Sequence, residues 1–185
     1  IYDQVVAIKE QAELFFGRPL TNIVFMGMGE LLLNYVNVIS AIEKITSQKG
    51  LNMAAKRITV STVGIAKMII KMADEDVKFN LAVSLHAALD NTRSSIMPIN
   101  DTNPLRELGE ALKYWYQKTS KKVTYEYVVW KGINDTEEHA RALLKFCKIV
   151  PSKVNLIEYN PIDDGEFQQA SDDALAMYMD LLERN

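Results

Sequence analysis

Apolar side chains recur at helical spacing in six stretches of the chain, with turn residues between them. The stretch Asp135-Thr-Glu-Glu138 has the spacing of a capping box, with Asp135 as the cap residue. Pro104 is typical of a first helical turn. The predicted helices span 3–16, 36–45 and 65–73, and three more begin near Pro104, Asp135 and Ser171.

Short apolar runs separate these helices and predict five strands. Each run is apolar along its length, which is typical of parallel strands covered on both faces. An α/β fold follows, with a parallel sheet covered by helices in either a doubly wound or a barrel arrangement. No linker or repeat interrupts the pattern, so residues 1–185 are expected to form a single domain. The predicted strands are 22–26, 57–61, 79–85, 122–130 and 153–159.

The composition is that of a globular domain, with 48% apolar and 24% charged residues among 185. Lys and Arg number 21 and Asp and Glu number 24, for a net charge of −3. This balance excludes the broad positive field of a free-standing nucleic-acid binder. The chain shows neither an apolar run of membrane-spanning length nor a signal-peptide pattern, so a cytoplasmic protein is expected.

The chain has one cysteine, Cys147, and two histidines, His86 and His139. By itself it therefore cannot form a disulfide framework, a Cys-rich zinc site or the thiolate ligands of an iron–sulfur cluster. Cys147 falls on the apolar face of its helix, which predicts a buried, unreactive thiol. His139 is predicted to have a structural role. Because the chain begins at Ile1 and its last predicted helix has no cap, we interpret it as part of a longer protein.

Polar residues follow the predicted strands, where parallel α/β folds place their sites. Gly27 and Gly29 allow a ligand close to the backbone, and Glu30 is suited to pair with an ammonium group. A tight turn with a solvated acid is the alternative interpretation. His86 is suited to bond a ribose or a carboxylate, or to serve a structural role. Together these groups favour an amino-acid-like zwitterion or a ribose over a hydrolytic triad. The strand-end groups are 27–30, 61–64, 84–86, Glu126, 130–131 and 160–161.

Taken in order, the strand-end residues resemble the radical S-adenosylmethionine (SAM) RNA methyltransferases of the RlmN/Cfr type, which methylate adenine. The RlmN branch is the more similar of the two. Each motif is modest alone, but five in the family's order and spacing are specific, and they cover essentially the whole chain. The matching stretches are IVFMGMGELLLNY, KRITVSTVGI, FNLAVSLHAALDNTRSSIMPIN, VTYEYVVWKGINDTEEHA and KVNLIEYNPID.

The resemblance implies a partial (β/α)6 radical-SAM barrel of the TIM-barrel-like kind, in which the five predicted strands are barrel strands two to six. The Gly29-Glu30 pair matches the family's GE motif, which binds the amino end of the SAM methionine. Five further residues fall on other positions by which the family binds SAM. They are Ser61, Ser84, Leu85, His86 and Asn160.

The resemblance also implies a [4Fe–4S] cluster, bound in the family by a CxxxCxxC loop that is expected just before Ile1. The C-terminal cysteine that carries the methyl group and the N-terminal accessory domain are likewise expected outside this chain. No catalytic residue and no metal ligand is therefore predicted here, and the isolated chain is expected to be inactive. The complete protein is expected to methylate C2 of adenine in 23S rRNA and tRNA, with an electron donor for the cluster and no membrane partner.

Two stretches depart from the family pattern. Leu31 stands where the family usually has proline, which removes a constraint on the loop. Ala88-Leu89 replaces a more polar pair. Two other interpretations stay open: a non-catalytic SAM-binding or nucleotide-binding module, and another radical-SAM enzyme such as an activase of glycyl-radical enzymes. Cysteines in the longer protein would separate the first of these from an enzyme.

Overall fold

The computed structural model describes residues 1–27, 29–161 and 165–184. Within them the chain has seven α-helices and five strands. The helices are α1 (Tyr2–Phe16), α2 (Tyr35–Thr46), α3 (Ala66–Asp74), α4 (Asp90–Ile96), α5 (Leu105–Thr119), α6 (Glu137–Cys147) and α7 (Asp172–Glu183). The strands are β1 (Ile23–Phe25), β2 (Ile58–Thr62), β3 (Asn80–Ser84), β4 (Val123–Val129) and β5 (Ser152–Glu158).

The five strands form one sheet in the chain order β1-β2-β3-β4-β5. β1 runs parallel to β2, and β4 runs parallel to β5. This confirms the predicted α/β class and all five predicted strands. Every predicted helix is also present, and α4 is an additional helix. Its sequence, DNTRSSI, has too few apolar residues to show a helical period.

The chain comprises two compact units, Ile1–Thr62 with Lys78–Leu81 and Val63–Val77 with Ala82–Asn185. In the first unit, α2 presents one apolar face to the core. The prediction of a buried first strand is wrong, because Val24 in β1 is 55% exposed. β1 comes first in the strand order and pairs with β2, so one of its edges lacks a neighbouring strand among the described residues. The buried residues of α2 are Tyr35, Val38, Ala41, Ile42 and Ile45.

In the second unit, α3 packs against α5, and α6 packs against α7. The α5 face includes Trp115, which is completely buried. Along β4 buried positions alternate with half-buried ones, because polar Thr124 and Glu126 interrupt the apolar residues. The buried apolar residues of this unit include Val83, Leu108, Leu112, Tyr125, Tyr127 and Leu143.

The predicted capping box at the start of α6 is wrong. Thr136, not Asp135, is the N-cap residue, and it makes no side-chain cap hydrogen bond. Its Oγ1 instead lies 2.8 Å from His139 Nδ1. The Thr136 hydroxyl therefore contacts the His139 imidazole and not a backbone N–H of the first helical turn.

None of the helices in the described part of the chain is both long and apolar enough to cross a lipid bilayer.

Candidate functional site

Glu30 lies at the start of a short 3-10 helix, Leu31–Asn34, in the first unit. Its Oε1 accepts a hydrogen bond of 2.8 Å from the Leu32 N–H, and its Oε2 accepts one of 3.0 Å from Thr62 Oγ1. The side chain is therefore oriented by two donors, one from its own turn and one from the end of β2. A carboxylate fixed in this way is preorganised to accept from a cationic group.

Gly29 precedes this carboxylate and has a left-handed backbone conformation, with φ of +86°. A Cβ at this position would meet nothing within 4 Å, so glycine is required by conformation and not by space. A cleft of about 790 Å³ lies beside Gly29 and Glu30 and continues along α1 and β1. This volume is within the range of small-molecule pockets.

Ser61 is the penultimate residue of β2 and is only 5% exposed. Its neighbour Thr62 supplies the hydroxyl that contacts Glu30. The sequence placed Thr62 in the strand-end group 61–64 but gave it no individual role. We therefore assign Thr62 to the support of the Glu30 carboxylate.

His86 lies just after β3 in the second unit and has a positive φ of 55°. Its Nδ1 accepts a hydrogen bond of 3.2 Å from the Val128 N–H in β4. Because that nitrogen is an acceptor, the neutral ring carries its proton on Nε2. His86 is thus prepared to donate a hydrogen bond from Nε2. Its ring also contacts the edge of Trp130, with centroids 5.7 Å apart.

Burial, together with the smaller effect of the positive charge of Arg93, lowers the pKa of His86 from 6.5 to about 4. The ring is therefore neutral at physiological pH. A neutral donor adds no positive charge next to a cationic ligand such as a sulfonium.

This low pKa predicts a pH-dependent stability. Between pH 6.5 and about 4 the unfolded chain binds a proton at His86 that the folded chain does not, so the free energy of unfolding falls as the pH is lowered. From pH 7 to pH 5 we expect His86 to account for a loss of about 2 kcal/mol. Urea unfolding of the chain and of His86→Asn at both pH values measures this difference. An equal loss in the variant would show that other groups are responsible.

Ser84 and Leu85 complete the strand-end segment that includes His86. Ser84 ends β3 and is half-buried, and Leu85 is completely buried. The N–H groups of Leu85 and His86 both donate to the Glu126 carbonyl, at 3.0 and 3.3 Å. The sequence prediction thus identified a segment whose backbone is fixed against β4.

Asn160 lies two residues beyond β5 and is exposed. The matching stretch continues into Ile162 and Asp163, which lie outside the described residues. Between β4 and this region Trp130 packs against the rings of Tyr159 and Phe167, with centroids 6.2 and 5.1 Å away. Asn160 therefore follows an aromatic cluster at the end of the sheet in the second unit.

The remaining titratable candidates have structural contacts. His139 Nε2 lies 3.1 Å from Thr92 Oγ1, in addition to its contact with Thr136. Burial raises the pKa of the Cys147 thiol to about 11, so the thiol stays protonated at neutral pH. Among the described residues, no group of three or more His, Cys, Asp and Glu side chains is arranged to bind a metal ion.

Leu31 occupies the first position of the 3-10 helix, and Glu30 before it is extended, with φ of −94° and ψ of 109°. An extended residue is compatible with a following proline, and proline suits a first helical position. We expect Leu31→Pro to raise the free energy of unfolding by about 0.5 kcal/mol, because it restricts the unfolded chain. Urea denaturation checks this. A clear destabilisation would show that the Leu31 side chain or its N–H stabilises the turn.

The chain was compared with known proteins over its whole length. A protein from Christiangramia forsetii named "Probable dual-specificity RNA methyltransferase RlmN" is 64% identical over 185 residues. The chain is therefore similar to RlmN proteins along its entire length. It is matched over 100% of its length and covers 53% of that relative, so it spans about half the length of the curated RlmN proteins that it matches. No protein-family model matches the chain.

Two solved structures share the fold of this chain. A radical SAM methyltransferase from Sphaerobacter thermophilus has a TM-score of 0.94 and 38% identity, over 99% of this chain and 53% of the other. A domain of pyruvate-formate lyase-activating enzyme from Bacteroides vulgatus has a TM-score of 0.68 and 15% identity, over 89% of this chain and 94% of the other. The second likeness shows the fold alone. The first likeness confirms the predicted TIM-barrel-like radical-SAM fold class.

Proposed function

We propose that this chain is the SAM-binding core of a radical-SAM RNA methyltransferase that modifies C2 of adenine in 23S rRNA and tRNA. The observation that carries the proposal is the 64% identity to an RlmN relative along the entire chain. The oriented Glu30 carboxylate and the neutral His86 donor supply a chemical reason for SAM as the ligand. A cytoplasmic location and an electron donor for the complete protein belong to the same proposal.

The residues present fit SAM. In the first unit, the Glu30 carboxylate accepts from the methionine ammonium, and Gly29 leaves its backbone open to the ligand. In the second unit, the Ser84 hydroxyl and the His86 Nε2–H are the groups proposed to bond the ribose or the carboxylate, and Leu85 is assigned to SAM on the family resemblance. Ser61 and Asn160 are assigned to the same ligand on the family resemblance. When bound, SAM supplies the transferred methyl carbon and the radical chemistry, whereas this chain binds and orients it.

The residues present do not fit a [4Fe–4S] cluster. Such a cluster is bound by several cysteine thiolates, and this chain has one cysteine, whose thiol is protonated. Cluster ligands must come from other parts of the complete protein. We therefore expect the isolated 185-residue chain neither to methylate RNA nor to cleave SAM.

A chimera tests the proposed function. This chain replaces the corresponding segment of the Christiangramia forsetii relative, and 2-methyladenosine in 23S rRNA and tRNA is measured by mass spectrometry in a host without its own enzyme. We expect methylation by the chimera and its loss on Glu30→Gln. A chimera that folds and carries its cluster but gives no 2-methyladenosine, while the unmodified relative does, would contradict the proposal. Turnover by the isolated chain would contradict its expected inactivity.

A further inference from the structure

Three consecutive backbone carbonyls after β3 accept hydrogen bonds from two buried side chains. Arg93 donates to the carbonyls of Ser84 and Leu85, at 3.4 and 3.1 Å. Asn134 Nδ2 donates to the carbonyl of His86 at 2.7 Å. Every carbonyl of the segment 84–86 is therefore directed towards a side chain from outside the segment.

Arg93 extends from α4 and is completely buried. Besides the two carbonyls of the segment, its guanidinium donates to the Val63 carbonyl at 2.5 Å and to Asn100 Oδ1 at 2.8 Å. Burial lowers the pKa of Arg93 to about 10, so the group is charged at neutral pH. Burying a charge carries a large desolvation penalty, which a folded protein recovers only through well-aligned hydrogen bonds. The planar guanidinium is suited to bind several carbonyls at fixed angles.

Asn134 is also completely buried, in the turn before α6. Its Nδ2 donates to the Val128 carbonyl at 2.8 Å as well as to His86, and its Oδ1 accepts from the Trp130 N–H at 2.7 Å. Its backbone carbonyl accepts from the Tyr178 hydroxyl of α7 at 2.5 Å. Asn134 therefore links the end of β4 and α7 to the backbone of His86.

The conformation of His86 requires such support. A φ of +55° is unfavourable for a residue with a Cβ and persists only where the surroundings determine it. With the His86 carbonyl bonded to Asn134, the ring meets the Val128 N–H, which places the imidazole proton on Nε2. Without Asn134, His86 would be free to leave its positive-φ conformation, and its ring proton would no longer be restricted to Nε2.

We propose that Arg93 and Asn134 are positioning residues that fix the segment 84–86 in the conformation that binds SAM. The choice of ligand rests on the proposed function, whereas the effect on the segment does not. The first experiment compares the chain with Asn134→Ala by NMR. We expect the His86 ring nitrogens to move from a single Nε2–H tautomer to a mixture and the Val128 amide to exchange at least about tenfold faster.

The second experiment measures SAM affinity by calorimetry. Asn134→Ala is expected to weaken binding about tenfold in the unmodified chain but less than about twofold in the His86→Ala background, because the two residues act as a unit. Leu143→Ala in α6, also completely buried, is the matched control. It lowers the urea midpoint but leaves the His86 tautomer unchanged. Arg93→Lys is the second variant, since it keeps the positive charge but lacks the planar guanidinium. It is measured in place of Asn134→Ala if that variant does not fold.

The outcomes separate the two proposals. An unchanged His86 tautomer and Val128 exchange rate in Asn134→Ala and Arg93→Lys would overturn the positioning role, as would an equal change in Leu143→Ala. If the unmodified chain does not bind SAM but the NMR signature moves as expected, the positioning of the segment is supported and the assigned ligand is wrong. Equal weakening of SAM binding with and without His86 would also overturn the role assigned to Asn134.

Discussion

Replacing Glu30 with glutamine is expected to weaken SAM binding by about 30-fold or more, because a neutral amide loses the charge-assisted hydrogen bond to the ligand's ammonium group. The substitution preserves shape, and the amide oxygen still accepts from the Leu32 N–H. The Thr62 hydroxyl can rotate to accept from the new amide nitrogen. The fold should therefore remain intact while the charge is lost. Calorimetry with SAM measures the effect directly.

Glu43→Gln is the matched control, since Glu43 is exposed on α2 in the same unit and the change in net charge is the same. We expect its SAM affinity and urea midpoint to equal those of the unmodified chain. If both glutamate variants weakened binding equally, a general electrostatic effect would replace the specific contact. Unaltered affinity in Glu30→Gln would remove Glu30 from the site.

Alanine at Gly64 is expected to lower the free energy of unfolding by about 3 kcal/mol. Gly64 follows β2 with φ of +100°, where side chains are strained. A Cβ there would lie 3.1 Å from both methyl carbons of Leu108 and 3.5 Å from Arg93 Nη2. The substitution therefore combines backbone strain with a tight contact that requires Leu108 to shift, whereas the distance to Arg93 is an ordinary van der Waals contact. Urea denaturation measures the loss.

Gly132→Ala separates the two causes. Gly132 also has a positive φ, of +72°, but a Cβ there meets nothing within 4 Å. We expect Gly132→Ala to lower the free energy of unfolding by about 1 kcal/mol, from backbone strain alone. Leu108→Ala has its own cost because it leaves a cavity, but in that background Gly64→Ala should lower the free energy of unfolding by less than it does in the unmodified chain. If Gly64→Ala and Gly132→Ala lowered the free energy of unfolding equally, the contact with Leu108 would make no contribution to the Gly64 effect.

Periodicity predicted the strands and most helices because apolar residues at regular spacing must share one buried face. The α2 stripe is an example, with Val38, Ile42 and Ile45 all buried. Periodicity failed where this link is absent. The exposed Val24 of β1 belongs to an apolar run that local sequence cannot distinguish from a central strand, because strand order is a property of the whole sheet.

The site was predictable where ligand-binding groups follow strands in the chain. Glu30 and His86 were identified in this way, and the family resemblance gave them a ligand. Arg93 and Asn134 were not identified, and Thr62 was placed at a strand end without a role, because each acts through a partner elsewhere in the sequence. A buried arginine that bonds backbone carbonyls has no sequence signature, since its acceptors exist at every residue.

The first helix behaves differently from the rest of the molecule. α1 contains no buried residue, and Leu14, Phe15 and Phe16 are each more than 70% exposed. A helix of this length is marginal without burial, so α1 has a low free energy of local opening and unfolds before the core. Circular dichroism, which registers every helix, would then report a broader transition than the fluorescence of the two tryptophans, Trp115 and Trp130, which both lie in the second unit. We therefore expect unfolding to depart from a single two-state process, and tryptophan fluorescence to report the stability of the second unit without the contribution of α1.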